Sequence, residues 1–330
     1  MADREASRWA PFEKPLVEIE REIAELEAFT AERGIDRAKQ IKALRQRHRK
    51  LLEQIYSNLS PWDKVLLARH PERPYTLDYA RLIFDEFMEL RGDRAFDDDG
   101  AMVAGLATLD GRPVAVVGHQ KGRDVRERQK RNFGCAKPEG YRKALRIMRL
   151  AEKFSRPVIS FVDTPAAESR EEAEGRGIAQ AIARNMAEMS ALRVPIVVAV
   201  TGEGGSGGAI GIGVGDRVLM LEHSIYSVIP PEGCAAILST FGTDAARAPE
   251  AAQALRLTSQ DVLTLGVVDQ VVAEPLGGAH RDPQEAAKRL KESIVRALQE
   301  LESIPAEELV KQRYEKFRRM GVFLSDQPAA

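Results

Sequence analysis

Eight glycines fall within the sixteen residues from Thr201 to Asp216 (Thr-Gly-Glu-Gly-Gly-Ser-Gly-Gly-Ala-Ile-Gly-Ile-Gly-Val-Gly-Asp), and two apolar, strand-like segments, 195–200 and 217–221, flank them. Glycine costs backbone entropy wherever it is fixed, so this density needs a backbone reason. The flanking segments are short enough for buried parallel strands, which sets the glycines at a strand-to-helix junction. There the main chain, free of Cβ atoms, can approach a ligand closely, and the N–H groups of the first helical turn face negative charge. The alternation of Ala209, Ile210 and Ile212 with glycine equally suits a helix pressed on a sheet. The leading glycines thus fit a ligand and the later ones packing. The run has neither the Gly-Lys-Ser/Thr ending of a Walker loop nor a strict dinucleotide fingerprint.

The rest of the chain is arranged around that junction. Leu16, Ile19, Ile23 and Leu26 recur at helical spacing, as do Ile41, Leu44, Leu51, Leu52, Ile55 and Leu59, and Gly34 separates the two runs. This predicts an antiparallel helical hairpin with one apolar stripe, a packing or interface element. Two prolines in Ala68-Arg-His-Pro-Glu-Arg-Pro-Tyr-Thr-Leu-Asp78 predict an extended connection, with His70 a structural residue, before an amphipathic helix through Leu82, Phe84, Phe87 and Leu90. Beyond Gly100 the pattern alternates. Strands 101–109 and 113–117 flank Asp110-Gly111, a hairpin turn signal. A helix over 139–154, a strand over 157–162 and a helix carrying Ile178, Ile182, Met186 and Met189 follow. After the glycines come helices near 231–240 and 247–265, a strand at 267–272 and two charged helices over 284–320. Paired strands followed by crossover helices predict an α/β fold built as a stacked β-β-α spiral.

Composition excludes several classes of partner. Lys and Arg number 49 against 50 Asp and Glu, so no general attraction to nucleic acid is expected. No apolar run reaches the roughly 18 residues of a membrane span, and the N-terminus lacks a signal-peptide core, which predicts a cytoplasmic protein. The two cysteines, Cys135 and Cys234, cannot make a four-thiolate zinc site. Positive charge concentrates in His119-Gln-Lys-Gly-Arg-Asp-Val-Arg-Glu-Arg-Gln-Lys-Arg131, with Arg142, Lys143, Arg146 and Arg149 after it. Such a run is a solvated face or, directly after a strand, a phosphate-binding loop for a ligand such as coenzyme A.

Several ordered stretches carry a resemblance across nearly the whole chain. These are His119-Gln-Lys-Gly-Arg-Asp124, Arg131-Asn-Phe-Gly134, Pro138-Glu-Gly-Tyr-Arg-Lys-Ala-Leu145, Gly202-Glu-Gly-Gly-Ser-Gly-Gly-Ala209, Pro231-Glu-Gly-Cys234 and Glu274-Pro-Leu-Gly-Gly-Ala-His-Arg-Asp282, with Phe12-Glu-Lys-Pro15 and Ala68-Arg-His-Pro71 before them. Together they resemble the carboxyltransferase alpha subunits of bacterial acetyl-CoA carboxylases. The resemblance implies a crotonase-like β-β-α spiral over 96–275, an N-terminal helical interface region over 1–95 and C-terminal helices over 276–330. It implies transfer of a carboxyl group from carboxybiotin on its carrier protein to acetyl-CoA, giving malonyl-CoA, with no metal in this chain. The implied partners are a beta subunit bearing a zinc ribbon, in an α2β2 assembly, together with the biotin carboxyl carrier protein and biotin carboxylase. A non-catalytic or specialised paralogue, acting with a beta-type partner or on another acyl-CoA, is the alternative. A Clp-type serine peptidase using Ser206 and His119 lacks a matching acid.

By the same resemblance Gly204, Gly205, Gly207 and Gly208 supply backbone donors to the ureido oxygen of biotin, an oxyanion hole needing no titratable nucleophile. Lys121 and Arg123 are the expected contacts to acyl-CoA phosphates, and Ala166 and Ala167 wall the biotin pocket. One loop departs from the family pattern. Asp163-Thr-Pro-Ala-Ala-Glu-Ser-Arg170 stands where the family reads Asp-Thr-Pro-Gly-Ala-Tyr-Pro-Gly. Thr164 as cap, Pro165 at the first position and good helix formers after it predict a helix from Pro165, which brings Glu168, Glu171 and Glu172 near an anion site.

Overall fold

The computed structural model describes residues 9–321; the expectations for the first eight residues and for the tail after Gly321 lie outside the described residues. Helices α1 (Lys14–Arg33) and α2 (Ala38–Tyr56) form the expected hairpin. Gly34 ends α1 in the left-handed conformation (φ 65°), its N–H bonded to the Thr30 carbonyl. The hairpin is fastened to the body through Glu13. Its fully buried carboxylate accepts hydrogen bonds from Tyr56 Oη (3.0 Å), Arg281 Nε (3.1 Å) and the His280 ring (3.0 Å).

Helices α3 (Pro61–Ala68) and α4 (Thr76–Ile83) follow. Here the structure corrects the sequence expectation. The helix stops at Ile83, Phe84 is extended (φ −98°, ψ 149°), and Phe87 lies in strand β1 (Glu86–Glu89) opposite Ala107. The Leu-Phe-Phe-Leu spacing is common to both periodicities, and pairing with a neighbouring strand decided between them. Strands β2 (Met102–Leu109) and β3 (Arg112–His119) are joined by Asp110 and Gly111, both at positive φ (49° and 75°) as a two-residue hairpin turn requires.

Then come α5 (Val125–Lys130), α6 (Pro138–Lys153), β4 (Val158–Thr164), α7 (Glu171–Gly175), α8 (Ile178–Ala191), β5 (Ile196–Gly205), α9 (Ser206–Ile210), β6 (Arg217–Leu221) and β7 (Ile225–Ser227). The chain continues through α10 (Pro231–Ile237), α11 (Ala248–Leu255), α12 (Ser259–Thr264), β8 (Gln270–Val272), α13 (Pro283–Glu302) and α14 (Ala306–Arg318). The helix expected over 247–265 is two helices. Arg256 takes a left-handed conformation (φ 49°) between them, and Thr258 with Asp261 builds a capping box that starts α12.

The sheet runs β1-β2-β3-β4-β5-β6-β8, antiparallel through β3 and parallel beyond, with β7 pairing the far end of β5. On one face Val117, Val158, Val162, Val198 and Val200 pack on α6 and α8 through Ile147, Met148 and Met189. On the other, Ile159, Phe161, Val197 and Ala199 meet Tyr79 of α4 and Leu290, Ile294 and Leu298 of α13. Coverage on both faces explains why β4 and β5 read as continuous apolar runs. The layered α/β architecture is the one the strand and helix grammar predicts.

Candidate functional site

The carboxyl ends of β4 and β5, where ligands sit in open α/β sheets, coincide with the glycine run. Strand β5 extends past the expected Val200 to Gly205, because β7 takes over as its partner where β6 ends, pairing Gly205 with Ser227. Ser206 then adopts a left-handed conformation (φ 47°) and opens α9. A left-handed residue leading into a helical one turns successive N–H groups toward one point, an anion-binding concavity, and the first N–H groups of a helix have no intrahelical partner.

The four expected site glycines divide. A Cβ at Gly205 would lie 2.0 Å from the Pro165 carbonyl oxygen, one at Gly208 2.6 Å from the Ala166 carbonyl carbon, and one at Gly204 2.4 Å from the Tyr226 ring. Gly207 differs: the nearest atom to a Cβ there is Ile182 Cδ1 at 3.6 Å, an ordinary contact. Close backbone approach accounts for Gly205 and Gly208 and the Tyr226 ring for Gly204, while Gly207 is bare without a packing demand from the protein. Ala166 and Ala167 are half-buried and lie against Gly208, in the wall of the junction.

A cleft opens beside the junction. Arg69, Tyr75, Lys121, Arg128, Phe133 and Pro165 enclose about 180 Å³, with Glu203 on the floor. Arg69, Pro165 and Glu203 also border a smaller hollow over Gly204 and Gly205, rimmed by Ile229 and Pro230. A chain of charges runs beneath. Lys121 Nζ lies 2.7 Å from Asp163 and 2.8 Å from Glu203, and Arg69 joins Glu203 (2.6 Å) to Glu232 (2.5 Å). Burial opposes the Lys121 charge, yet the Asp163 and Glu203 carboxylates hold its ammonium above the usual lysine range. Burial likewise opposes ionisation of Glu203, but Lys121 and Arg69 hold its carboxyl below the usual range. For Asp163 burial prevails over Lys121 and raises the carboxyl.

Lys121 thus lines the cleft as a paired residue. Arg123 points elsewhere, donating to the Pro71 carbonyl (2.6 Å) and Asp78 (2.5 Å) and lying over the Tyr75 ring. The two expected phosphate contacts do not converge, and both have protein partners. His119 is fully buried, and burial with the Lys121 charge lowers its imidazole to about 3, so it is neutral; among the described residues no hydrogen bond joins it to Ser206. One group of the described residues has metal-ligand geometry, Glu13, His70 and His280, with ligand atoms within 4.8 Å of one another. Its carboxylate is already engaged by Tyr56, His280 and Arg281, and His70 Nδ1 accepts the Glu72 N–H (3.2 Å).

The helix expected from Pro165 begins at Glu171 instead, and residues 166–170 form an open loop. Tertiary contacts outweigh the local helix preference. Thr164 Oγ1 bonds the Gly134 carbonyl (2.8 Å), and the Glu168 N–H is given to the Ala136 carbonyl (3.0 Å). The feared acid is neutralised in place. Glu168 accepts from Arg170 Nη2 (2.7 Å), Asn132 Nδ2 (2.6 Å) and the N–H groups of Ser169 and Arg170, and Arg170 with these bonds lowers its carboxyl to about 2. Glu171 and Glu172 are exposed. Sequence reasoning did not single out Arg69, Asp163, Glu203, Glu232 or Tyr226. The signal was available only as their positions inside the recognised stretches, since no periodicity marks a charge pair 134 residues apart in the chain.

A family model described as acetyl co-enzyme A carboxylase carboxyltransferase-like matches residues 9–321. The chain is 56% identical over 312 residues to the acetyl-coenzyme A carboxylase carboxyl transferase subunit alpha of Geobacter metallireducens, covering 94% of this chain and 97% of that one. It is 53% identical over 310 residues to the subunit of the same name from Geobacillus kaustophilus, 94% of each chain. Among solved structures, a transcarboxylase 12S with hydrolysed methylmalonyl-coenzyme A bound superposes with TM-score 0.56 at 19% identity, over 76% of this chain but only 43% of that longer one. A Pseudomonas malonate decarboxylase hetero-tetramer in complex with coenzyme A gives 0.54 at 16% identity, over 67% of this chain and 90% of that one. These likenesses show a shared fold.

Proposed function

The chain belongs to the acetyl-CoA carboxylase carboxyltransferase family, as an alpha-type subunit, and on that premise we propose that its glycine junction supplies the biotin side of a shared active site. The reaction is transfer of a carboxyl group to acetyl-CoA, giving malonyl-CoA, the first committed step of fatty acid synthesis. Carboxybiotin, presented by its carrier protein, supplies the carboxyl group, and negative charge develops on its ureido oxygen as that group leaves. The backbone N–H groups around Gly207, fixed by the left-handed Ser206, meet that charge without reorganising. Gly205 and Gly208 let β5 and α9 lie against the 165–167 backbone, which holds those donors in place. The paired charges of Lys121, Asp163, Glu203 and Arg69 stiffen the floor, and Arg128 with the exposed remainder of the basic stretch gives the cleft its positive side for acyl-CoA.

The observation that carries this reading is the left-handed turn at Ser206, which opens α9 at the end of β5 where Gly204 and Gly205 border the hollow beside the cleft. The departure at 166–170 supported a non-catalytic paralogue only if it placed acids at the anion site. With Glu168 paired and Glu171 and Glu172 turned to solvent, that support is gone.

A junction of this kind stabilises one anion, whereas the reaction also needs the thioester enolate held. A beta subunit supplies the second site in this proposal, so the chain alone is inactive. The test is malonyl-CoA formation from carboxylated carrier protein and acetyl-CoA, with and without a cognate beta subunit. Transfer by the isolated chain, or none by the assembled pair, defeats the proposal.

A further inference from the structure

The arginines that follow the basic stretch converge on a cavity the carboxyl-transfer reading does not use. Arg142, Arg146 and Arg149 stand at i, i+4 and i+7 on one face of α6, with Arg94 across from them and Arg184 contributed by α8. They surround about 380 Å³. Lys143, between them in sequence, turns the other way and is buried on Asp98 and the Asp99 carbonyl.

Five guanidinium groups here face three carboxylates. Arg142 pairs with Asp93 (2.7 Å) and Glu139 (3.0 Å), and Glu188 is shared by Arg149 and Arg184. Arg94 and Arg146 have no carboxylate among the described residues. Arg146 donates to the Leu90, Arg91 and Gly92 carbonyls, and Arg94 to the Arg91 carbonyl. Arg94 is moreover held in the left-handed conformation (φ 64°), an uncommon state for a side chain of this size. Burial and the Arg94 charge together hold the Arg146 guanidinium below its usual range, although the Asp93 and Asp98 charges partly offset them.

The floor is of a different character. Leu145 and Ala181 are buried and apolar, and Asn185, 1% exposed, leaves its Oδ1 without a hydrogen-bond partner. Its Nδ2 donates to the Tyr141 and Gly211 carbonyls, which fixes the amide beneath the apolar floor. A hollow with surplus guanidinium at its mouth and an apolar floor suits a small molecule with an anionic end and a largely apolar body.

We propose that this cavity binds a phosphate-bearing small molecule, its phosphate held by Arg94, Arg146 and Arg149 and its body resting on Leu145 and Ala181. Guanidinium groups donate charge-assisted hydrogen bonds to phosphate oxygens, and a dianion balances the surplus better than a single carboxylate does.

The test is calorimetric titration of the full chain at constant ionic strength with inorganic pyrophosphate and with phenyl phosphate. Saturable binding of both, one per chain, is expected, and Arg94→Gln and Arg149→Gln should each weaken it about tenfold. Both residues are exposed, so the variants keep the fold, which thermal melting checks. Absence of saturable binding overturns the proposal, as does unchanged affinity in Arg94→Gln. The titration is repeated on the chain assembled with a beta subunit. Binding retained there supports a ligand site; binding abolished there overturns it in favour of arginines that meet an acidic protein surface.

Discussion

Replacing Gly207 and Gly208 in parallel separates chemistry from packing at the glycine junction. A Cβ at Gly208 meets the backbone of Ala166 and Ala167 at 2.6 and 2.7 Å, and no rotamer change relieves a main-chain contact. Gly208→Ala must therefore push the 165–168 loop away from α9, at a cost of about 1–3 kcal/mol for overpacking. At Gly207 the nearest atom stands at 3.6 Å and φ is not in the left-handed region, so alanine fits and stabilises the helix by about 0.5–1 kcal/mol. Gly207→Val keeps the fold but sets two methyl groups beside the backbone donors that the proposal assigns to the ureido oxygen. Loss of one preorganised backbone donor lowers turnover by about 10²–10³-fold. The assay is malonyl-CoA formation by each variant with a beta subunit, beside thermal melting of the purified chain. The expected pattern is Gly207→Val stable and inactive, and Gly208→Ala impaired in both. Full activity in Gly207→Val would refute the donor role, and a collapsed melting temperature in Gly207→Ala would refute the packing analysis.

Three further outcomes follow from the described contacts. Lys121→Glu leaves Asp163 buried without its cation and Glu203 with Arg69 alone, so it should destabilise the chain by about 3–5 kcal/mol rather than act on acyl-CoA binding alone, whereas Arg123→Glu should melt close to wild type; equal melting of Lys121→Glu and wild type overturns this. Grafting the family's Gly-Ala-Tyr-Pro-Gly over 166–170 should not raise transfer, since that loop is already open and Glu168 already paired; a several-fold gain would show that the native loop obstructs the site. Burial, with the His280 charge, lowers His70 to about 3, so between there and the ordinary histidine value of 6.5 the unfolded chain takes up a proton that the folded chain refuses. Glu13, lowered to about 2 against burial by the His280 bond and charge, adds stability that is lost as pH falls from 4.5 toward 2. Melting temperature should therefore decline as pH is lowered from 7 to 5, and less steeply in His70→Phe; a rise on acidification would contradict the neutral, buried histidine.

Much of the framework was legible before any coordinates. The helical hairpin, the Asp110-Gly111 turn, the central apolar strands and the glycine junction announced themselves because each rests on local chemistry: period, turn preference or freedom at positive φ. The misreadings share one cause. Phe87 joined a strand, residues 166–170 stayed a loop, and the helix over 247–265 broke at Arg256, each where a partner remote in sequence outbid a weak local preference. Those partners were Ala107 of β2, the Gly134 and Ala136 carbonyls, and the packing around Leu257.

The site divides in the same way. Sequence alone determined that glycines would end a buried strand and open a helix, since only residues without a side chain permit that density of close backbone approach. Which of them packing requires was decided by the tertiary structure, because Pro165, Ala166 and Tyr226 claim the space beside Gly205, Gly208 and Gly204 and leave Gly207 free. The same holds for charge. A run of lysines and arginines says only that cations are present; whether each is spent on a neighbour depends on distance, and folding placed Lys121 between two carboxylates while leaving Arg94 and Arg146 with none.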